Sequence, residues 1–246
     1  MAGSMNPHGG RKRITAVSEA RLPYRAAGHV QITPRDIAIL EWVATHGIVT
    51  VAQIGRHFFP GTSTLSAAQR RIRKLCHADP PLLSYDRTFW REPPVIRVTR
   101  PGAQLADVGL NPAHLNLAEV HHALAVVDLA EQILPRLPDA ILETERQLRA
   151  ARLREKREGT RQTTGRIPDL QLRLPAASHG AEQVIAIELD LTPKRVAAIA
   201  AIVRRYQGAH VDAVWWYVRP RSVAHMTDVI KRQRADDFIE VRAWNP

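Results

Sequence analysis

The stretch PDLQLRLPAASHGAEQVIAIELDLTPKR, residues 168–195, decides the fold of the second half of the chain. It contains two apolar runs joined by a short polar loop, which is the pattern of two adjacent strands. Asp169 stands at the start of the first run and Glu188 near the end of the second, so antiparallel pairing would bring the two carboxylates together. Asp190 lies two residues after Glu188 and therefore shares its face of the strand.

The sequence around this stretch alternates apolar runs with helical patterns. Strands are predicted near 140–148, 168–174, 183–190, 211–219 and 237–244, and helices near 193–206 and 222–234. This order predicts an α/β domain over 138–246, with helices flanking a mixed sheet. Residues 149–166 hold seven arginine and lysine residues, and we predict a mobile basic loop there.

The carboxylates of the predicted sheet are candidate ligands of a divalent metal. Mg²⁺ and Mn²⁺ prefer oxygen ligands and leave part of their coordination shell to water and phosphate. Such an ion can polarise a phosphate and generate the attacking hydroxide. Asp169, Glu188 and Asp190 are the first candidates, and Glu143 and Glu145 on the first predicted strand are further ones.

The first half of the chain, 31–112, carries three helix patterns, two short strand patterns and a last short helix. Thr33, Pro34 and Asp36 form the capping signature of the first helix, and Pro60-Gly61 ends the second. The third helix has apolar residues at spacings of three and four. Three helices, a hairpin and a helix in this order predict a winged helix-turn-helix domain, which binds DNA with its third helix and its hairpin wing.

Basic and amide side chains occupy the outward face of the third helix and the hairpin loop, where phosphates and base edges would be contacted. The candidate DNA-binding residues are Ser66, Gln69, Arg70, Arg73, Lys74, Arg87 and Arg91. The whole chain has 35 lysine and arginine residues against 24 acids, a net charge of +11, which favours a polyanionic partner such as double-stranded DNA. A helical packing or dimerisation domain with a solvated basic face remains the alternative.

The remaining segments have simpler interpretations. Residues 1–30 are predicted as a flexible basic arm. Residues 113–137 are predicted as a linking amphipathic helix, which is also the candidate interface of a homodimer. Its neighbouring His121 and His122 are interpreted as ordinary helix residues, since zinc requires about four converging ligands. The single Cys76 fits a reducing cytoplasm, and no apolar stretch is long enough to predict a membrane span.

The spacing of the acids carries a resemblance to known families. Asp169 after Pro168, followed by Glu188 in a strand–loop–strand, resembles the PD-(D/E)xK nuclease-like superfamily. The segment "ELDLT" (188–192), followed by a helix ending in Tyr206, looks like the replication-relaxation family of bacterial plasmids and mobile elements. That family pairs an N-terminal winged helix with a nuclease-like C-terminal domain.

The resemblance covers about residues 31–219. It implies a DNA-binding accessory protein in plasmid replication, relaxation or conjugative transfer, working beside other replication or transfer proteins.

The chain departs from the nuclease pattern two residues after Glu188, where Asp190 stands in place of a lysine. Lys194, predicted in the first turn of the next helix, has two interpretations: it reaches back and supplies the ammonium, or it is a solvated helix residue. The departure favours an inactive nuclease-like domain. A metal-dependent endonuclease remains open, with Asp169, Glu188, Asp190 and Lys194 as its catalytic residues and Mg²⁺ or Mn²⁺ as its cofactor, and so does a winged-helix transcription regulator.

Overall fold

The computed structural model describes residues 30–61, 64–160, 165–176 and 181–245. The basic arm predicted at 1–30 lies outside these ranges except for its last residue. Over the described residues the chain is an α/β protein with eight α-helices, a three-stranded sheet and a five-stranded sheet. None of the helices in these ranges combines the length and apolar character needed to cross a membrane.

The first half contains the predicted helices and hairpin in the predicted order. Its elements are α1 (Pro34–His46), β1 (Val49–Thr50), α2 (Val51–Phe58), α3 (Thr64–Cys76), β2 (Leu83–Asp86), β3 (Val95–Val98) and α4 (Arg100–Ala106). The three strands form an antiparallel sheet in the order β1-β3-β2. One core fills the space between helices and sheet, and Ile39, Ile72 and Ile96 are among its fully buried members.

The N-terminus of α1 is tied to α3 by a buried ion pair. Asp36 closes a capping box with Thr33, whose backbone N–H donates to the Asp36 carboxylate at 2.7 Å. Arg71 of α3 donates from Nε to Asp36 Oδ1 at 2.5 Å and from a terminal nitrogen to Oδ2. Burial acts to raise the pKa of Asp36, but the hydrogen bonds from Arg71 and Thr33 outweigh it and lower this pKa below its ordinary value. The pair fixes the direction of α3 against α1.

The second half is a mixed sheet with helices on both faces. Its elements are α5 (Val120–Ile133), β4 (Ile141–Thr144), α6 (Glu145–Glu158), β5 (Leu170–Leu174), β6 (Gln183–Asp190), α7 (Val196–Gln207), β7 (Ala213–Val218), α8 (Val223–Arg232) and β8 (Ile239–Ala243). The sheet order is β4-β5-β6-β7-β8, with the first two pairings antiparallel and the last two parallel. Helices α7 and α8 pack on one face and α5 on the other, so β6 is buried on both faces.

The prediction of a mobile basic loop at 149–166 is wrong over most of its length, because α6 runs to Glu158. Thr144 caps α6 in a capping box with Gln147, and Gly159 ends it in the left-handed conformation. Arginine, lysine, glutamate, leucine and alanine are strong helix formers, so the charged run forms a helix. The strand predicted at 140–148 therefore ends at Thr144. Residues 161–164 lie outside the described part of the chain.

Helix α6 also joins the two halves. Arg146 donates from Nε to the backbone oxygen of Ala44 at 3.0 Å and from a terminal nitrogen to that of Asn111 at 2.6 Å. The hydroxyl of Thr144 donates to the backbone oxygen of Thr45 at 2.9 Å. The bonds to Ala44 and Thr45 satisfy carbonyl groups at the C-terminal end of α1, which lack partners within their own helix.

The linking helix predicted at 113–137 is α5, and it is shorter than predicted. It packs on both halves of the protein. Leu129 lies in the core beneath the five-stranded sheet, and Gln53 of α2 donates to the backbone oxygen of Leu124 at 2.9 Å.

Candidate functional site

The register of β5 and β6 places Asp169 beside Glu188. The two strands are antiparallel, with Leu170 opposite Ile187, so the residue before Leu170 adjoins the residue after Ile187. Asp169 Oδ2 also accepts a hydrogen bond from the backbone N–H of Leu189 at 2.8 Å. The predicted antiparallel pairing of these two strands is confirmed.

Glu188 is only 1% exposed and is held by two donors. Arg166 forms a bidentate pair with it, from Nε at 2.5 Å and from a terminal nitrogen at 2.6 Å. The hydroxyl of Tyr206 on α7 donates to the same carboxylate. Burial raises the pKa of Glu188 above its ordinary value despite the hydrogen bond from Arg166. Burial and the charge of Glu188 also raise the pKa of Tyr206, which keeps the phenol protonated as a donor.

Asp190 is held by a lysine and a tryptophan. Lys194 Nζ contacts the Asp190 carboxylate, and Trp216 Nε1 donates to it at 3.1 Å. Lys194 does reach back toward β6, as the sequence suggested. Its predicted position in the first turn of a helix is wrong, however, because α7 begins at Val196 with Arg195 as N-cap. Lys194 and its ion pair lie in the connection between β6 and α7, where burial lowers the pKa of the ammonium group.

Asp169 has its own basic partner in His122 of α5. His122 Nε2 lies 3.1 Å from Asp169 Oδ1, and this hydrogen bond raises the pKa of the histidine. The interpretation of His122 as an ordinary helix histidine missed this contact. Arg166 was also missed as a partner, although its position three residues before Asp169 places it near the same strand end.

We expect His122→Gln to lower the free energy of unfolding more at pH 5.5 than at pH 8.5. A histidine whose pKa is raised by folding stabilises the fold below its unfolded pKa of about 6.5, and this stabilisation is lost as the pH rises through the higher folded pKa. Urea unfolding at the two pH values measures the difference. Exposed His210 supplies the control variant His210→Gln, and an equal effect of the two substitutions at pH 5.5 would contradict the role of the His122–Asp169 pair.

The two further metal-ligand candidates are each engaged by an arginine. Glu143 on β4 accepts from Arg173 at 2.7 Å. Glu145 is the first residue of α6 and pairs with Arg149 at 2.5 Å. Across the described ranges, no group of three or more His, Cys, Asp and Glu side chains is arranged to hold a metal ion.

The three central acids thus form a cluster with three cations of the protein itself. Asp169 pairs with His122, Glu188 with Arg166, and Asp190 with Lys194. Close carboxylates repel one another and resist ionisation unless positive charge compensates them. Here side chains provide that charge, and they occupy carboxylate oxygens that a bound metal ion would need.

The candidate DNA-binding residues lie on the surface of the first half. All seven have exposed side chains: Ser66, Gln69, Arg70, Arg73, Lys74, Arg87 and Arg91. Gln69 and Arg73 of α3 line a cleft of about 550 Å³ whose other wall includes Tyr85 and Pro93 of the hairpin. The structure therefore places the outward face of α3 and the hairpin on the two sides of one cleft.

Arg70, Arg73 and Lys74 differ in their partners from Arg149, Arg166 and Arg173, each of which pairs with a carboxylate. Within the described residues no carboxylate forms an ion pair with any of these three side chains.

Comparison of the chain with protein-family models, with curated proteins and with solved structures found no match. The function is therefore inferred from the geometry and charge of the two sites.

Proposed function

We propose that this chain is a DNA-binding accessory protein of a bacterial plasmid or mobile element, as its resemblance to the replication-relaxation family implies. The first half acts as a winged helix domain, with α3 in the major groove of double-stranded DNA and the hairpin on the backbone. The second half is a nuclease-like domain that does not cleave. Its role is to position the DNA-binding half relative to other replication or transfer proteins.

The observation that carries this proposal is the basic face of α3. Arg70, Arg73 and Lys74 are exposed and lack a carboxylate partner among the described residues. Surface cations that are not paired within the protein remain available for phosphates, and their binding releases counterions from the DNA. Arg71, on the inward side of the same helix, is bound to Asp36. The helix is thus anchored on one side and cationic on the other.

The proposal of an inactive second half rests on the partners of the acids. A metal at Asp169 and Glu188 would have to displace His122 and Arg166, and displacement of Arg166 separates a bidentate ion pair whose acid is 1% exposed. Truncating one partner of such a pair is strongly unfavourable because the other charge is left buried. The ion pairs therefore compete with metal binding.

We expect the double variant Arg70→Ala, Arg73→Ala to bind labelled duplex DNA at least about tenfold more weakly than the parent at low salt. The slope of log affinity against log salt should fall by about 2, since each lost phosphate contact removes about 0.9. Fluorescence anisotropy over a salt series in EDTA measures both quantities. Arg204→Ala, Arg205→Ala on α7 is the matched control, because both side chains are exposed arginines. Unchanged affinity and slope in the α3 variant would rule out α3 as the DNA-binding helix.

A metal-dependent endonuclease is the second candidate, favoured by the adjacency of Asp169 and Glu188 across β5 and β6. The same titration repeated with manganese separates the two functions. Binding that leaves the DNA intact supports the accessory role. Cleavage that requires manganese and disappears in Glu188→Gln would overturn the inactive assignment, with Lys194 then serving as the catalytic cation.

A further inference from the structure

Trp90 stands at the tip of the hairpin and is the most exposed large apolar side chain of the described residues, at 87%. It lies in the loop between β2 and β3, with exposed Arg87 and Arg91 on either side in sequence. A tryptophan that stays in water contributes no burial energy to the fold. Its indole ring is available to a partner outside the chain.

The loop that carries Trp90 contacts α5 on both sides of this residue in sequence. Phe89 stacks on His121 of α5, with ring centroids 5.1 Å apart and an interplanar angle of 11°. Glu92 lies within hydrogen-bond distance of the same histidine, at 2.9 Å from Nε2. Between these anchors, Arg91 adopts a left-handed backbone conformation with φ of 71°, which is uncommon for a side chain larger than glycine. Phe89 and Glu92 are thus held against α5, and Trp90 projects between them.

The chemistry of this tip fits a nucleobase better than a protein surface. Protein-docking patches are contiguous apolar areas, whereas the loop around Trp90 carries exposed Arg87, Arg91 and Glu92 beside Phe89, which stacks on His121. An indole ring flanked by arginines is the combination that binds unpaired bases, because the ring stacks on the base while the guanidinium groups contact the phosphates.

The position of the hairpin agrees with this assignment. Tyr85, near the loop end of β2, and Pro93, in the loop just before β3, line the same cleft as Gln69 and Arg73 of α3. A DNA molecule that contacts the basic face of α3 therefore passes beside the hairpin that carries Trp90.

We propose that Trp90 stacks on an unpaired nucleobase, so that the hairpin gives the protein a preference for DNA that is locally opened over fully paired duplex. This inference rests on the proposed DNA-binding function and assigns a second contact to it. The α3 face contributes contacts to the paired region, and the hairpin tip recognises the opening.

The test compares two DNA molecules of equal length, one fully paired and one with a central run of unpaired bases, by anisotropy. The parent should bind the opened DNA more tightly. Trp90→Ala should lose about tenfold in affinity for the opened DNA while its affinity for the paired duplex stays close to that of the parent. Trp90→Phe, which retains an aromatic face, should keep most of the preference.

The outcomes separate this inference from the function on which it rests. If the parent binds neither DNA, the DNA-binding function itself fails. If the parent binds duplex through Arg70 and Arg73 but Trp90→Ala binds both DNA molecules as the parent does, only the stacking role fails. If Trp90→Ala instead converts a dimeric parent into a monomer, Trp90 contacts a second copy of the chain and the inference is overturned.

Discussion

Replacing Arg166 by methionine should lower the free energy of unfolding by about 3–5 kcal/mol at pH 8. Methionine keeps much of the side-chain stem but removes the guanidinium that binds both oxygens of Glu188. Glu188 is 1% exposed, so its charge would remain buried with only the Tyr206 hydroxyl as a side-chain donor. Urea unfolding monitored by tryptophan fluorescence measures the loss.

The effect of Arg166→Met should depend on pH in a defined direction. Burial already raises the pKa of Glu188, and removal of the cation raises it further. An acid whose folded pKa exceeds its unfolded pKa destabilises the fold increasingly as the pH rises above the unfolded value and up to the folded one. The loss in the variant should therefore be smaller at pH 5 than at pH 8.

Two further variants test whether the charge is responsible. Arg204→Met changes an exposed arginine of α7 and should alter stability by no more than about 0.5 kcal/mol. The double variant Arg166→Met, Glu188→Gln should recover much of the loss, since an amide can be buried without a counter-charge. A loss of the same size at both pH values would contradict an unpaired Glu188 as its cause.

Asp36→Ala is expected to lower the free energy of unfolding by about 3 kcal/mol near neutral pH. The substitution removes the capping partner of Thr33 and the carboxylate that binds Arg71. Asp36 is fully buried and Arg71 mostly so, so the guanidinium would keep little access to water. Thermal and urea unfolding give the change in stability.

The Asp36 series has its own internal comparison. Asp36→Asn retains an oxygen acceptor for the cap but lacks the charge. Its free energy of unfolding should therefore lie between those of the parent and Asp36→Ala. Because the folded pKa of Asp36 is lowered, its contribution is present above the unfolded value of about 3.8 and is lost as the pH falls through the folded pKa. Asp139→Ala, at an exposed position, is the control. An Asn variant as stable as the parent would show that the charge of Asp36 contributes nothing.

The first half was predictable because its boundaries depend on local chemistry. The capping box of Thr33 and Asp36 is visible as residue types at a fixed spacing, and Pro60-Gly61 marks the end of α2. The second half was less predictable where a high charge indicates a loop but the helix propensity of the same residues indicates a helix. The charge of residues 149–166 predicts a basic loop, but the residues up to Glu158 favour a helix and Thr144 caps it.

The candidate site was predictable only in part, for a related reason. The pairing of Asp169 with Glu188 follows from strand spacing alone. The cations do not, because their positions depend on how helices pack on the sheet. His122 is 47 residues from Asp169 in sequence, and no local pattern connects them. Tyr206 is predicted only as the end of a helix, and its hydroxyl meets Glu188 only once α7 lies on the sheet.

Thr144 and Arg146 donate hydrogen bonds to the C-terminal end of α1. These bonds limit the exchange of one half of the protein for another by recombination. The donors lie 102 and 99 residues along the chain from the carbonyl oxygens of Ala44 and Thr45 that they satisfy. Each half has its own core, and so each has the form of an exchangeable module. A first half transplanted without α6 would nevertheless lose these donors, and water or a new partner would have to replace them at the end of α1. Exchange of either half alone would therefore break this contact unless Thr144 and Arg146 are retained with the first half.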